Sequence, residues 1–294
     1  MRILWVMLVL LACQGAWAED APSYAGAETC YKCHKAIKQS GYADTTHGRI
    51  FMLNASGTEQ ALGCEACHGP AATHANRAGE DEEGSLYINN FANTPENAAW
   101  INGRCLTCHQ GKGHTQNWEA SAHAMKGLSC ASCHTMHSGD GKVPQKKCES
   151  CHVEQRAKMN RASHMPVREG LMGCTDCHNP HGSAGERSLK FNTVNDVCYQ
   201  CHAEKRGPFL WEHAPVRESC ATCHDPHGSS NISLLKMRIN TMCQSCHQQF
   251  SHVSDLYDGS TTAIRSVRNT VKSCVNCHSM IHGSNHPSGA MFQR

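Results

Sequence analysis

Hydrophobic positions along this 294-residue chain come in short, broken stretches. One continuous apolar run stands out, Ile3–Ala12, with Arg2 before it and Ala16-Trp17-Ala18 after it, ahead of Glu19 and Asp20. A basic start, an apolar stretch and an Ala-x-Ala end predict an export signal over residues 1–18. Leu10-Leu11-Ala12-Cys13 also fits a lipoprotein cleavage box, so a lipid anchor at Cys13 is the alternative reading. No later apolar run approaches the roughly twenty residues a membrane helix needs. Strict alternation of apolar and polar residues is scarce. The pattern predicts a mainly α and irregular fold, short helices joined by loops with little or no sheet. One helix start is clear at Thr94-Pro95-Glu96, with proline in the first turn and the helix running toward Cys105. Residues 79–84, with Glu80, Asp81, Glu82 and Glu83, read as a solvated loop. Pro166 and Pro215 are expected to end or redirect a preceding helix.

A cysteine motif organises the chain instead. Cys-x-x-Cys-His occurs ten times and takes 20 of the 21 cysteines. The cysteines are Cys30 and Cys33, Cys64 and Cys67, Cys105 and Cys108, Cys130 and Cys133, and Cys148 and Cys151 in the first half. Cys174 and Cys177, Cys198 and Cys201, Cys220 and Cys223, Cys243 and Cys246, and Cys274 and Cys277 follow. The motif histidines are His34, His68, His109, His134, His152, His178, His202, His224, His247 and His278. This is the attachment motif for c-type haem: two thiols add to the porphyrin vinyl groups, and the adjacent histidine takes one axial position on iron. Zinc knuckles, disulfide scaffolds and thioredoxin-like pairs do not require histidine after every second cysteine.

A six-coordinate iron needs a second axial ligand, and twelve of the 22 histidines lie outside the motifs. Taken two motifs at a time, a single elongated domain over 19–294 divides into five units, approximately 28–75, 103–138, 146–183, 196–229 and 241–287. In chain order their spare histidines are His47 and His74, His123 and His137, His164 and His181, His213 and His227, and His252 and His282. Each unit would then be self-sufficient, leaving His114 and His286 over. In the middle units the trailing histidine falls three residues after the motif histidine, as in His134/His137, His178/His181 and His224/His227. That step is too short to return to the same iron, so these histidines should reach a neighbouring haem. The units also repeat in sequence. His164 precedes Met-Pro-Val-Arg-Glu and His213 precedes Ala-Pro-Val-Arg-Glu, and the following motifs read CTDCHNPHGS and CATCHDPHGS. Arg168 and Arg217 are candidate propionate partners, with a solvated surface role as the alternative.

Apolar residues make up 39% of the chain, below the usual share of about 45–50%. With ten haems, the porphyrins must supply much of the core. The formal charge of +2 changes for the same reason: porphyrin propionates should leave the oxidised holoprotein acidic by roughly ten charges. Nothing points to nucleic acid.

Twelve spare histidines for ten irons allow every iron to be closed by two imidazoles. Saturated haems exchange electrons rather than bind substrate, and two histidines favour lower potentials than a histidine–methionine pair. No catalytic residues are expected. Met125, Met136, Met165 and Met242 lie near motifs and are read as packing residues.

The ten motifs, the paired PVRE segments, GPFLWEH at 207–213, the DPHGS cassette and IHGSNHPSG at 281–289 resemble the MtrA/DmsE-type periplasmic decahaem cytochromes over nearly all of the mature chain. The resemblance implies a haem wire like two pentahaem cytochromes fused end to end, held in an outer-membrane β-barrel of the MtrB type. It also implies electron flow between periplasmic or inner-membrane cytochrome donors and an outer-surface haem protein, terminal reductase or mineral. His252, five residues after His247, departs from the spacing of the other spare histidines. The residues alone are equally compatible with a free periplasmic shuttle or electron store, with a multihaem reductase as a third class.

Overall fold

A computed structural model describes residues 23–77, 91, 94–139, 141–247 and 273–293. The export signal with Cys13, the acidic loop at 79–84 and His252 lie outside the described residues. Among those described there is no β-sheet, only isolated two-residue bridges such as His178 with Leu189 and His224 with Leu235. The described helices are short, and none of them is long and apolar enough to cross a membrane.

Their shortness follows from the motif. Helices Ala27–Cys33 and Gln145–Cys151 both stop at a second motif cysteine. The next residues, His34 and His152, leave helical space at φ −88°, ψ 53° and φ −86°, ψ 59°. Each of them opens the following helix, Lys35–Gln39 or Val153–Met159. The 15-residue helix Pro95–His109 begins at the proline, as its sequence predicts. Pro215 behaves differently from expectation. It sits in the first turn of helix Ala214–Glu218 and starts that helix rather than ending another, because its missing N–H is one that a first turn leaves unpaired anyway.

The chain forms two compact units, Met1–Cys108 with Ser129–Lys142, and His109–Leu128 with Val143–Arg294. The even spacing of the motifs does not reveal this division. In the first unit the buried carboxylate of Glu65 fastens the start of the described chain. Oε1 accepts from the N–H groups of Ala25 (2.9 Å) and Ala71 (2.8 Å), and Oε2 from Gly26 (2.9 Å). In the second unit the two related cassettes interlock with the segments before them. Ser163 and Ser229 exchange backbone hydrogen bonds of 3.0 and 2.7 Å. The segments 207–213 and 281–289, far apart in sequence, are joined through Trp211 and Ser284 (3.0 and 2.9 Å) and by Leu210 N–H to Asn285 Oδ1 (2.8 Å).

Protein side chains alone bury little. The described apolar core holds only scattered residues, among them Tyr42, Ile101, Trp118, Val167, Leu189 and Leu235. Leu171, Leu210 and Ile232 are 79%, 77% and 75% exposed. Met125 is 71% exposed to the surroundings of the polypeptide alone. Close backbone approach takes over part of the work of the core. At Gly228 (φ +134°) an added Cβ would lie 2.1 Å from the Lys158 carbonyl oxygen. Gly228→Ala should therefore cost about 2 kcal/mol or more, read as a lower melting temperature of the haem-loaded protein.

Candidate haem sites

The described motif cysteines form no disulfides, and their arrangement is regular. The first cysteines of successive motifs pair off as Cys30 with Cys64, Cys105 with Cys130, Cys148 with Cys174, Cys198 with Cys220 and Cys243 with Cys274. Burial, then the charge of Cys30, pushes the Cys64 thiol up to about 11. Burial followed by Cys274 does the same at Cys243, also to about 11. A hydrogen bond to Cys130 raises Cys105, and one to Cys220 raises Cys198. The second cysteines lie within electrostatic reach of the next motif, Cys67 with Cys108, Cys177 with Cys201 and Cys223 with Cys246. First-cysteine and second-cysteine contacts thus alternate like rungs within each compact unit.

An asparagine holds several of these rungs, and motif reading alone passes it over. Asn102, Asn195 and Asn240 each stand three residues before a first cysteine. Their Oδ1 atoms accept from the N–H of the next motif's first cysteine: Cys130 at 2.8 Å, Cys220 at 2.7 Å and Cys274 at 3.3 Å. The recurrence of Asn at that offset was the available signal. Buried Asn195 also donates through Nδ2 to the carbonyls of Val216 and Arg217, both at 3.0 Å.

The histidines fall into pairs as well. Ring centres of His34 and His74 are 6.2 Å apart, and those of His68 and His137 are 6.0 Å apart. In the second unit the pairs are His123 with His152 at 6.0 Å and His178 with His227 at 6.0 Å. His213 with His247 at 6.1 Å and His224 with His282 at 6.2 Å complete the set. Each pair joins one motif histidine to one spare. Five are near parallel, at 13–25°, and the His123–His152 pair is tilted by 66°. Metal–imidazole bonds of about 2.0–2.1 Å from both sides would put ring centres roughly 6 Å apart. The side chains present therefore fit an iron between the rings.

The pairing corrects one expectation. Of the six ring pairs among the described residues, His34 with His74 lies within one of the two-motif units and the other five run between units. The stretch 196–229 sends His213 to His247 and His227 to His178, and receives His282 at His224. The physical reason is the short step noted above, which points a trailing histidine away from its own motif. Among the other spares, His164 has both nitrogens engaged, Nδ1 with Arg161 O at 2.7 Å and Nε2 with Glu169 at 3.1 Å. His181 lies beside His114 (5.6 Å) and the buried Trp118 (6.1 Å). His47 stacks on Phe51 at 6.0 Å. Arg217 reaches Glu212 at 3.5 Å from an exposed position.

At three of the paired spares, burial favours the metal-competent form. Burial, as the largest cause, lowers the pKa of His213, His227 and His282, and a neutral imidazole is what binds iron. Nδ1 of His213 is buried without a hydrogen-bond partner. His123 donates from Nδ1 to the Pro180 carbonyl at 2.9 Å, which leaves Nε2 for a metal.

Comparison with known proteins bears on the same residues. Residues 164–207 and 213–252 match the doubled CXXCH motif family, 64–147 the cytochrome c-type protein NrfB-like family, and 14–69 the cytochrome c554 and c-prime family. The multihaem cytochrome MtrA of Shewanella baltica (strain OS185) is 42% identical over 288 residues, covering 95% of this chain and 84% of the relative. The chain belongs to the MtrA family of multihaem cytochromes. The cytochrome c-type protein NrfB of Haemophilus influenzae is 30% identical over 154 residues, 44% of this chain and 66% of that protein. As an MtrA-family cytochrome, the chain carries covalently bound haem c and transfers electrons; it is not an enzyme. The doubled-motif match is offset by one motif from the five units drawn from sequence. A ladder with alternating rungs accommodates either framing.

Removing one rung should be measurable. Asn195→Ala strands the Cys220 N–H and two carbonyls, at a cost of about 2 kcal/mol in thermal unfolding of the loaded protein.

Proposed function

We propose that this protein is a decahaem electron conduit held in an outer-membrane β-barrel. The reading is carried by imidazole pairs that recur at ring-centre separations of 6.0–6.2 Å across both compact units. All ten motifs bind haem c, each through its two cysteines and its own histidine. The six pairs above close six irons. The remaining candidates His47, His164, His181 and His252 serve the other four, and His164 must leave Glu169 to do so. When bound, the haems supply one-electron carriers. The chain's own residues attach them, close both axial positions and exclude substrate from iron.

Localisation follows from the leader and the family. The chain is exported to the periplasm and associates with the outer membrane through its barrel partner. It accepts electrons from periplasmic or inner-membrane cytochromes and passes them to an outer-surface multihaem cytochrome or terminal reductase. Hydrocarbon about 30 Å thick insulates against electron flow. A loop-rich chain cannot face lipid with unsatisfied backbone, and a barrel wall carries the lipid-facing surface instead.

Two measurements check this. The oxidised protein, with a mass about ten haems above the polypeptide, should be wholly low-spin, and His213→Ala should add a high-spin band from one opened iron. An unchanged spectrum would count against the His213–His247 pair. In liposomes holding an internal redox dye, transfer should require both this protein and the barrel. Cys220→Ala with Cys223→Ala should abolish it in assembled complexes, because the chain conducts in series. Transfer without the barrel would support a free shuttle, and substrate turnover by the isolated protein at enzyme-like rates, on the order of 1 per second or more, would support a reductase.

A further inference from the structure

Four motif histidines share an arrangement that their motif does not require. Nδ1 of His134, His178, His224 and His278 faces the backbone carbonyl of Gly141 (3.0 Å), Arg187 (3.1 Å), Ser233 (2.7 Å) and Met291 (2.5 Å), respectively. In each case the chain runs on past the motif and turns back to deliver that carbonyl. His34, His152 and His202 differ: each occupies the N-cap position of the short helix that follows, with no side-chain capping bond.

The returning turns are where the backbone is strained. Among the described residues, the non-glycine positions with left-handed φ are Arg187 (51°), Ser188 (55°), Ser233 (54°), Leu234 (59°) and Phe292 (51°). Every one of them lies at or beside a carbonyl that faces a motif histidine. At His134 the same job falls to Gly141 at φ +78°, where no strain arises. Two turns are near copies. Asn179 N–H donates to Ser188 O (2.7 Å) and Lys190 N–H to Cys177 O (2.9 Å); Asp225 N–H donates to Leu234 O (2.8 Å) and Lys236 N–H to Cys223 O (2.9 Å). The chain thus repeats a costly conformation at one functional position, which is where such outliers carry meaning.

We propose that these left-handed turns are positioning devices that set haem potential. The carbonyls of Arg187, Ser233 and Met291 hold the Nδ1–H tautomer of His178, His224 and His278 and make each imidazole a stronger donor to iron. A stronger donor favours ferric over ferrous iron, so these haems form a lower-potential class than those at His34, His152 and His202. The proposal rests on the haem-ligand reading above but concerns the backbone that supports the ligand.

The test uses the ten-haem protein. Ser233→Pro cannot keep φ near +54°, so the carbonyl must leave His224. With the haem mass and the low-spin spectrum of the parent retained, about one-tenth of the potentiometric amplitude should move to higher potential. Ser233→Gly with Leu234→Gly, which adopts the turn without strain, should titrate as the parent does. Should the proline variant fail to mature, Leu234→Val carries the same expectation, since a β-branched residue resists left-handed φ. A titration superimposable on the parent's in the matured variant overturns the proposal, as does an equal shift in the glycine pair. A parent protein lacking its haems or low-spin character would strike the ligand reading instead.

Discussion

Imidazole rings held about 6 Å apart in opposed pairs are the constraint on which this structure depends. A motif contributes one ring of a pair and a distant segment contributes the other. Holding both requires tertiary structure, although the chain has few buried apolar side chains to build it with. Covalently bound haem c, with its thioethers and apolar macrocycle, supplies the missing core, as bound groups do in other small-core proteins. This explains how helices of five to seven residues, far below the length at which isolated helices persist, suffice here.

The exchange of histidines between units has a mechanical consequence. His227 ties the fourth motif pair to the third, while His213 and His282 tie the fourth to the fifth. On the proposed ligand reading, no motif pair in this stretch could move off without breaking an axial bond, and the protein backbone would set the spacing between neighbouring carriers, as serial electron transfer demands.

The motifs, the helix starting at Pro95 and the scarcity of sheet among the described residues were legible because each depends on local spacing or local propensity. The partners of the histidines were not. His213 lies closer in sequence to His202 and His224 than to His247, and only the fold shows that its ring faces the more distant one. Asn195 was missed for a related reason: its role is a hydrogen bond to Cys220, 25 residues on, and a single asparagine carries no pattern until its recurrence at Asn102 and Asn240 is noticed. Pro215 was misread because proline signals a boundary without saying which side of it is helical.

The left-handed turns show a third kind of limit. Nothing in Glu186-Arg187-Ser188 or Ile232-Ser233-Leu234 advertises left-handed backbone, and glycine would serve there at less cost, as Gly141 does beside His134. Each non-glycine residue in that region costs about 1–2 kcal/mol. Such a cost persists only where the surroundings over-determine the conformation. Here the over-determination is visible. The Ser188 and Leu234 carbonyls are claimed by Asn179 and Asp225, Leu234 N–H is claimed by Ser163 Oγ at 2.8 Å, and the adjacent carbonyls of Arg187 and Ser233 face motif histidines. Two groups, Asn179 and His178, therefore converge on the first turn, and three, Asp225, Ser163 and His224, on the second. On the proposed reading, the backbone is bent to support an iron ligand, and the local sequence does not oppose that bend strongly enough to win.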